Sequence, residues 1–140
     1  MGALLSVKNL TAGYGETVVL HGLNFELNEG GITAILGANG AGKTTTLRAL
    51  CGLCKRRGEI EFGGKRIDNL AAEDVVRLGV AHVPDGRGTF SSMTAEENLR
   101  LGAYLRSDRE QVAQDFDNVY TLFPRLKERR LQQAGTLSGG

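Results

Sequence analysis

At 140 residues, with 41% hydrophobic and 24% charged side chains and a formal net charge of +1, the chain has the size and composition of a folded domain, which excludes a disordered or collagen-like polypeptide. The near-neutral balance argues against a nucleic-acid partner: Lys55-Arg56-Arg57 is the longest basic run, Arg129-Arg130 a weaker second, and both read as solvated surface. Met1 to Lys8 lacks the pattern of a signal peptide and no later stretch reaches the roughly 20 apolar residues of a membrane helix, so the expected location is the cytoplasm, with membranes reached only through a partner.

In chain order, Leu5 to Leu10 and Thr17 to Leu20 read as strands either side of a Gly13-Tyr14-Gly15 turn. Leu23, Phe25 and Leu27 alternate with Asn24, Glu26 and Asn28, the period of a strand with one wet face and antiparallel neighbours. Ile32 to Leu36 is almost continuously apolar or small, as a strand buried on both faces would be, and it runs straight into a glycine loop. Lys43 to Leu53 has helical periodicity. Leu47, Leu50, Cys51 and Cys54 share one face of that helix, which makes the C-x-x-C spacing a pair of buried thiols instead of a redox or zinc motif. Zinc would need two further ligands, and the only histidines, His21 and His82, lie in separate strand-like segments.

Glu59 to Phe62 is a strand closed by the Gly63-Gly64 turn, Ala71 to Leu78 a helix stopped by Gly79, and Val80 to Val83 another short strand. The pattern then turns helical. Thr94-Ala95-Glu96-Glu97 and Ser107-Asp108-Arg109-Glu110 both match the capping box that starts a helix. Val112, Phe116, Val119, Tyr120 and Phe123 form one apolar stripe, read as core, before Pro124 interrupts it.

The glycine loop carries the chemistry. Gly37-Ala38-Asn39-Gly40-Ala41-Gly42-Lys43-Thr44 fits G-x-x-x-x-G-K-[ST] at every fixed position, between a strand and a helix as that motif requires. Glycines let the backbone close around phosphate oxygens, and the helix adds the positive end of its dipole. The expected ATP contacts are Gly37, Asn39, Gly40, Ala41, Gly42, Lys43, Thr44 and Thr45, with Lys43 on the β- and γ-phosphates and the Thr44 hydroxyl on Mg²⁺.

The chain closes on Leu137-Ser138-Gly139-Gly140. With the phosphate loop, this tail resembles the ATP-binding cassette family, whose signature begins Leu-Ser-Gly-Gly and continues with Gln or Glu. Tyr14 falls where that family stacks an aromatic on adenine, and Thr94 to Leu99 resembles the T-x-x-E-N-L segment that opens its helical subdomain. The resemblance spans essentially the whole chain. It implies an α/β fold, a P-loop NTPase core with an antiparallel β subdomain and a helical subdomain, incomplete at its C-terminus. Residues 1–93 would form the β subdomain and P-loop core, 94–136 the helical subdomain and 137–140 the start of the signature. It also implies a head-to-tail dimer in which Ser138 and Gly140 of a second ATP-binding subunit, identical or different, close over the triphosphate. Membrane-spanning permease subunits would hold the protein peripherally on the inner face of the cell membrane.

Val83 to Arg87, Phe90 to Leu99 and Leu122 to Leu126 resemble, more narrowly, the ATP-binding subunit of branched-chain amino-acid importers. Asp85 stands where most cassettes have Gln and this group often Glu, a position that meets Mg²⁺ and the membrane partner; the shorter Asp suits a contact through water. The family's hydrolytic parts, an apolar strand ending in Asp-Glu and a later switch histidine, do not occur among these residues. The expectation is that the 140 residues bind Mg-ATP weakly and release phosphate well below ~1 s⁻¹, the low end of ordinary turnover, which a phosphate-release assay checks. Two other readings stay open on the sequence. Another P-loop ATPase or small-molecule kinase accounts for Gly37 to Thr45 but not for Tyr14, Thr94 to Leu99 and Leu137 to Gly140 together. A stand-alone nucleotide-binding module is the second.

Overall fold

A computed structural model describes residues 3–86 and 88–138, in two units, Met1–His82 and Val83–Gly140. The first is built on an antiparallel sheet of order β2-β1-β3-β4, with β1 Leu5–Tyr14, β2 Thr17–Leu27, β3 Lys55–Phe62 and β4 Lys65–Arg66. Helix α1, Lys43–Leu50, packs across the first three strands, and α2, Ala72–Arg77, follows. Val7, Leu10, Ile60, Ile67, Val75 and Ala49 are the fully buried heart of this unit.

One residue keeps the apolar face of β1 inward along its whole length. Leu5 and Val7 are buried at odd positions, Leu10 and Ala12 at even ones. The change of phase falls at Asn9, which has a φ of 52° and whose N–H leaves the ladder to donate to the Asn24 side chain at 2.8 Å. Asn tolerates that left-handed backbone, and the bulge absorbs the extra residue. Strands predicted as separate short runs therefore join into two long ones. The turn between them shrinks to Gly15 and Glu16, since Tyr14 pairs with Thr17.

Two predicted strands do not form. Ile32 to Leu36 and Val80 to Val83 are without strand pairing, and Ile32, Leu36 and Val83 stand nearly bare to solvent. Continuous apolar runs of this kind belong in the middle of a parallel sheet, and an extended segment becomes a strand only when neighbours take up its N–H and C=O groups. The one sheet among the described residues is antiparallel and includes neither run.

The helix predicted over Lys43 to Leu53 ends at Leu50. Gly52, at φ 75°, donates to the Ala49 carbonyl while Leu53 donates to that of Arg48, a Schellman closure that only glycine reaches without strain. Cys54 accordingly lies beyond the helix instead of on its face, and Leu47 is 43% exposed. Burial pushes both thiols above their usual pKa, against the pull of Arg56 on both and of Arg48 on Cys54.

The basic run Lys55-Arg56-Arg57 is only partly surface. Lys55 and Arg57 face water, whereas Arg56 turns inward and donates to the carbonyls of Asp68, Ile67 and Leu70 at 2.9, 2.6 and 2.9 Å and to that of Ala49. Strand alternation puts it on the same face as Ile60.

The second unit contains α3 Ala95–Gly102, α4 Arg109–Leu122, α5 Pro124–Glu128 and a 3₁₀ turn at Ala134–Thr136. At α3 the capping box forms on both arms: Glu97 N–H donates to the Thr94 hydroxyl at 3.1 Å and Thr94 N–H to the Glu97 carboxylate at 2.8 Å. Asn98 adds a clamp, its amide bonding Phe90 N–H, Phe90 C=O and Thr94 C=O. The second predicted box does not form. Asp108, not Ser107, is the N-cap of α4, and Arg106 holds the Asp108 carboxylate, leaving it no reach to the helix N–H groups. No residue of α4 is fully buried: Val112, Phe116, Val119 and Tyr120 are half-covered and Phe123 is exposed, so the stripe is not the core it was expected to be. Pro124 starts α5 at its first turn, where its missing N–H costs nothing.

Replacing Thr94 by Ala is expected to lower stability by about 1 kcal/mol, a melting-temperature fall of roughly 3–5 °C by circular dichroism. Glu97 is held below the usual glutamate pKa by the Thr94 N–H it accepts. A carboxylate with a depressed folded pKa contributes above its unfolded pKa, so its support disappears as pH falls through the depressed value.

Candidate functional site

Lysine folded onto its own loop defines the site. The Lys43 ammonium donates to the Gly37 and Ala38 carbonyls at 2.6 and 2.8 Å, and Ala41 N–H closes a turn onto Ala38 C=O at 3.1 Å. The positive charge is thereby drawn over the concave side of the loop, held by weak neutral acceptors that an anion would outcompete.

Glycine is required at two loop positions. Gly40 and Gly42 have φ of 85° and 98°, and a Cβ on Gly42 would come within 2.7 Å of the Leu20 side chain. Gly42 is also the N-cap of α1, so no side chain satisfies the first helical N–H groups. No acidic residue stands in the first turn of α1, whereas α2 has Glu73 and Asp74 there and α3 has Glu96 and Glu97. The N-terminus of α1 is left with unneutralised positive potential beside a lysine, an arrangement suited to phosphate.

Behind this face, Thr45 and Thr46 are buried, and the Thr46 hydroxyl donates back to the Gly42 carbonyl at 2.9 Å, fixing the first turn. Thr44 points its hydroxyl-bearing side chain from an exposed position, and Asn39, Gly40 and Ala41 are exposed as well. The loop residues thus fit a triphosphate: backbone donors, one cation and one free hydroxyl for a hydrated Mg²⁺. Among the described residues no three His, Cys, Asp or Glu side chains gather for a metal.

Tyr14 is the last residue of β1, 42% exposed, and the guanidinium carbon of Arg48 in α1 lies 5.4 Å from its ring centroid. The sequence reading placed Tyr14 at the nucleotide and gave no signal for the Arg48 contact. In the second unit, Asp85 is exposed in the loop that precedes α3. Ser138 is exposed too, its segment brought back beside α3 by bonds from Ala134 N–H to Met93 C=O and from Gly135 N–H to Ser91 C=O, at 2.8 and 2.9 Å. Arg87, Gly139 and Gly140 lie outside the described residues.

The protein family described as ABC transporter matches residues 20–140. The high-affinity branched-chain amino acid transport ATP-binding protein BraG of Pseudomonas aeruginosa is 41% identical over 138 residues, covering 98% of this chain and 59% of the relative. The probable branched-chain amino acid transport ATP-binding protein LivF of Archaeoglobus fulgidus is 36% identical, covering 98% and 58%. Nod factor export ATP-binding protein I of Cupriavidus metallidurans is 37% identical, covering 100% and 46%. Among solved structures, an ATP-binding subunit of an ABC transporter superposes with a TM-score of 0.82 at 33% identity, over 96% of this chain and 56% of that one. The ADP conformation of an ATP-binding cassette gives 0.78 at 26%, over 99% and 60%. The chain therefore spans between 46% and 59% of the length of these curated relatives.

Proposed function

The chain belongs to the ABC transporter family with the fold of its ATP-binding cassette, and from that premise we propose that it is the ATP-binding part of a subunit that energises import of branched-chain amino acids. The observation that carries the nucleotide assignment is Lys43, drawn over a glycine loop at an uncapped, acid-free helix N-terminus. ATP supplies the free energy of its terminal phosphoanhydride. Residues Gly37 to Thr45 bind and orient it: backbone N–H groups and the helix end neutralise phosphate charge, Lys43 exchanges two carbonyls for phosphate oxygens, and Thr44 places a hydroxyl for Mg²⁺. On the resemblance of its segment, Asp85 would be the further residue to serve Mg²⁺, through water.

Tyr14 presents its ring to the adenine, and Ser138 and Gly140 of a second ATP-binding subunit complete the site from across a head-to-tail interface. Membrane-spanning permease subunits are the other partners, with the protein peripheral on the inner face of the membrane; no helix among the described residues is long and apolar enough to cross one. Residues 1–93 serve as β subdomain and nucleotide core, 94–136 as helical subdomain and 137–140 as the start of the signature. The solute is supported by the motif resemblance and by BraG and LivF, while an exporter protein and a spermidine/putrescine importer protein are similar at 37% and 32%.

The test uses the protein with its permease subunits in sealed vesicles. ATP-dependent uptake of leucine, isoleucine and valine is the expected result; uptake indifferent to all three overturns the solute, and uptake without ATP overturns the energising role.

A further inference from the structure

We propose that Arg48 is a positioning residue for the nucleotide base: its guanidinium holds the Tyr14 ring against helix α1, so that the ring and the phosphate loop keep one fixed spacing. The inference rests on the reading of Gly37 to Thr45 as the triphosphate site.

Tyr14 is mounted on a stiff support. Its strand neighbour Gly13 lies so close to the returning strand that a Cβ there would meet the Thr17 carbonyl oxygen at 1.9 Å. The two-residue turn that follows is tied down by Lys55, whose ammonium donates to Gly15 C=O at 3.4 Å. The backbone of Tyr14 is thus placed by the hairpin, but its ring retains rotation about two side-chain bonds. Arg48 removes that freedom from one side, with its charge 5.4 Å from the ring centroid, within the range of cation–π attraction. The ring is still 42% exposed, so covering one face leaves surface for an aromatic base.

Arg48 belongs to the same helix as Lys43 and Thr44, ~7.5 Å beyond Lys43 along its axis at the usual rise per residue. That helix is fixed at its start by the Thr46 to Gly42 bonds and at its end by the Schellman closure, which takes the Arg48 carbonyl itself. Ring and phosphate cradle are therefore two attachments on one rigid rod. A base stacking on Tyr14 meets a ring already ordered, and the ordering loss that would weaken binding has been met in folding. The prediction is selective: Arg48 matters for ligands that carry a base and not for phosphate chains alone.

The test is calorimetric titration of the 140-residue protein with Mg-ATP and, separately, with magnesium tripolyphosphate. Arg48→Ala should weaken Mg-ATP about 3-fold, the range an exposed cation–π contact supplies, and leave tripolyphosphate unchanged; R48K should recover part of the loss. In a Tyr14→Ala background, R48A should have no further effect on Mg-ATP. Equal weakening of both ligands would mean a long-range charge effect and overturn the proposal, as would an unchanged Mg-ATP affinity or a full R48A loss persisting without Tyr14. Lys43→Ala separates the two levels: if it leaves tripolyphosphate binding intact, the triphosphate reading of the loop fails, independently of Arg48.

Discussion

Lys43→Ala is expected to weaken Mg-ATP binding about 100-fold while leaving the fold intact, the largest functional effect of any single change in this chain. The ammonium donates to two backbone carbonyls, Gly37 and Ala38, and is only half-covered, so its loss strands no buried charge. Its role toward a triphosphate is different. Two charge-assisted bonds to phosphate oxygens at about 1.5 kcal/mol each amount to roughly 3 kcal/mol, a factor of about 100 in Kd. Calorimetry reads the loss and a circular-dichroism melt reads the fold. Amide exchange adds a third observable: with its tether gone, the turn closed by Ala41 N–H onto Ala38 C=O should exchange faster without nucleotide. A loss below threefold with an unchanged melt would remove Lys43 from the phosphate site.

Features of this fold were legible where their partners lie close in the chain. Thr94 and Glu97 satisfy one another three residues apart, so local pattern suffices, whereas the hairpin turn expected at Gly13-Tyr14-Gly15 falls at Gly15 and Glu16 because Tyr14 pairs with Thr17. The phosphate loop was legible because its glycine and lysine positions answer to ligand chemistry. Ile32 to Leu36 failed for the opposite reason: its apolar pattern describes a place in a sheet, and nothing within the run says whether neighbours are at hand. The second capping box failed through competition, Arg106 taking the carboxylate that would have capped α4. Arg48 and Tyr14 meet between a strand and a helix far apart in sequence, with no periodic signal linking them. Arg56 was legible in principle. Counting back from buried Ile60 by twos reaches Arg56 and not its basic neighbours, so strand parity marks one cation of the three as inward.

That inward cation carries the largest expected effect on stability. Arg56→Met keeps the aliphatic stem and removes every donor, leaving the carbonyls of Leu70 and Asp68 without this partner and those of Ala49 and Ile67 with only their bonds from Gly52 and Leu70 N–H. Burial pulls the Arg56 guanidinium pKa down, opposed by the Asp68 charge; a guanidinium stays charged in proteins, so the lost bonds are charge-assisted. With each of the two stranded carbonyls costing on the order of 1 kcal/mol and two further bonds lost from carbonyls that keep a backbone donor, the expected loss is about 2–3 kcal/mol, a melting-temperature fall of roughly 6–10 °C. R57M, one residue along on the wet face, should stay within about 0.5 kcal/mol of the parent. R56K should recover less than half, because an ammonium cannot fork to carbonyls contributed by separate segments. The site should respond as well. Arg56 ties the end of α1, through Ala49 C=O, to the segment ahead of α2, and α1 carries Lys43, Thr44 and Arg48. Mg-ATP affinity in R56M should therefore fall more steeply on warming than in the parent, and saturating Mg-ATP should restore part of the lost melting temperature, since a ligand bound only to the folded chain stabilises it by mass action.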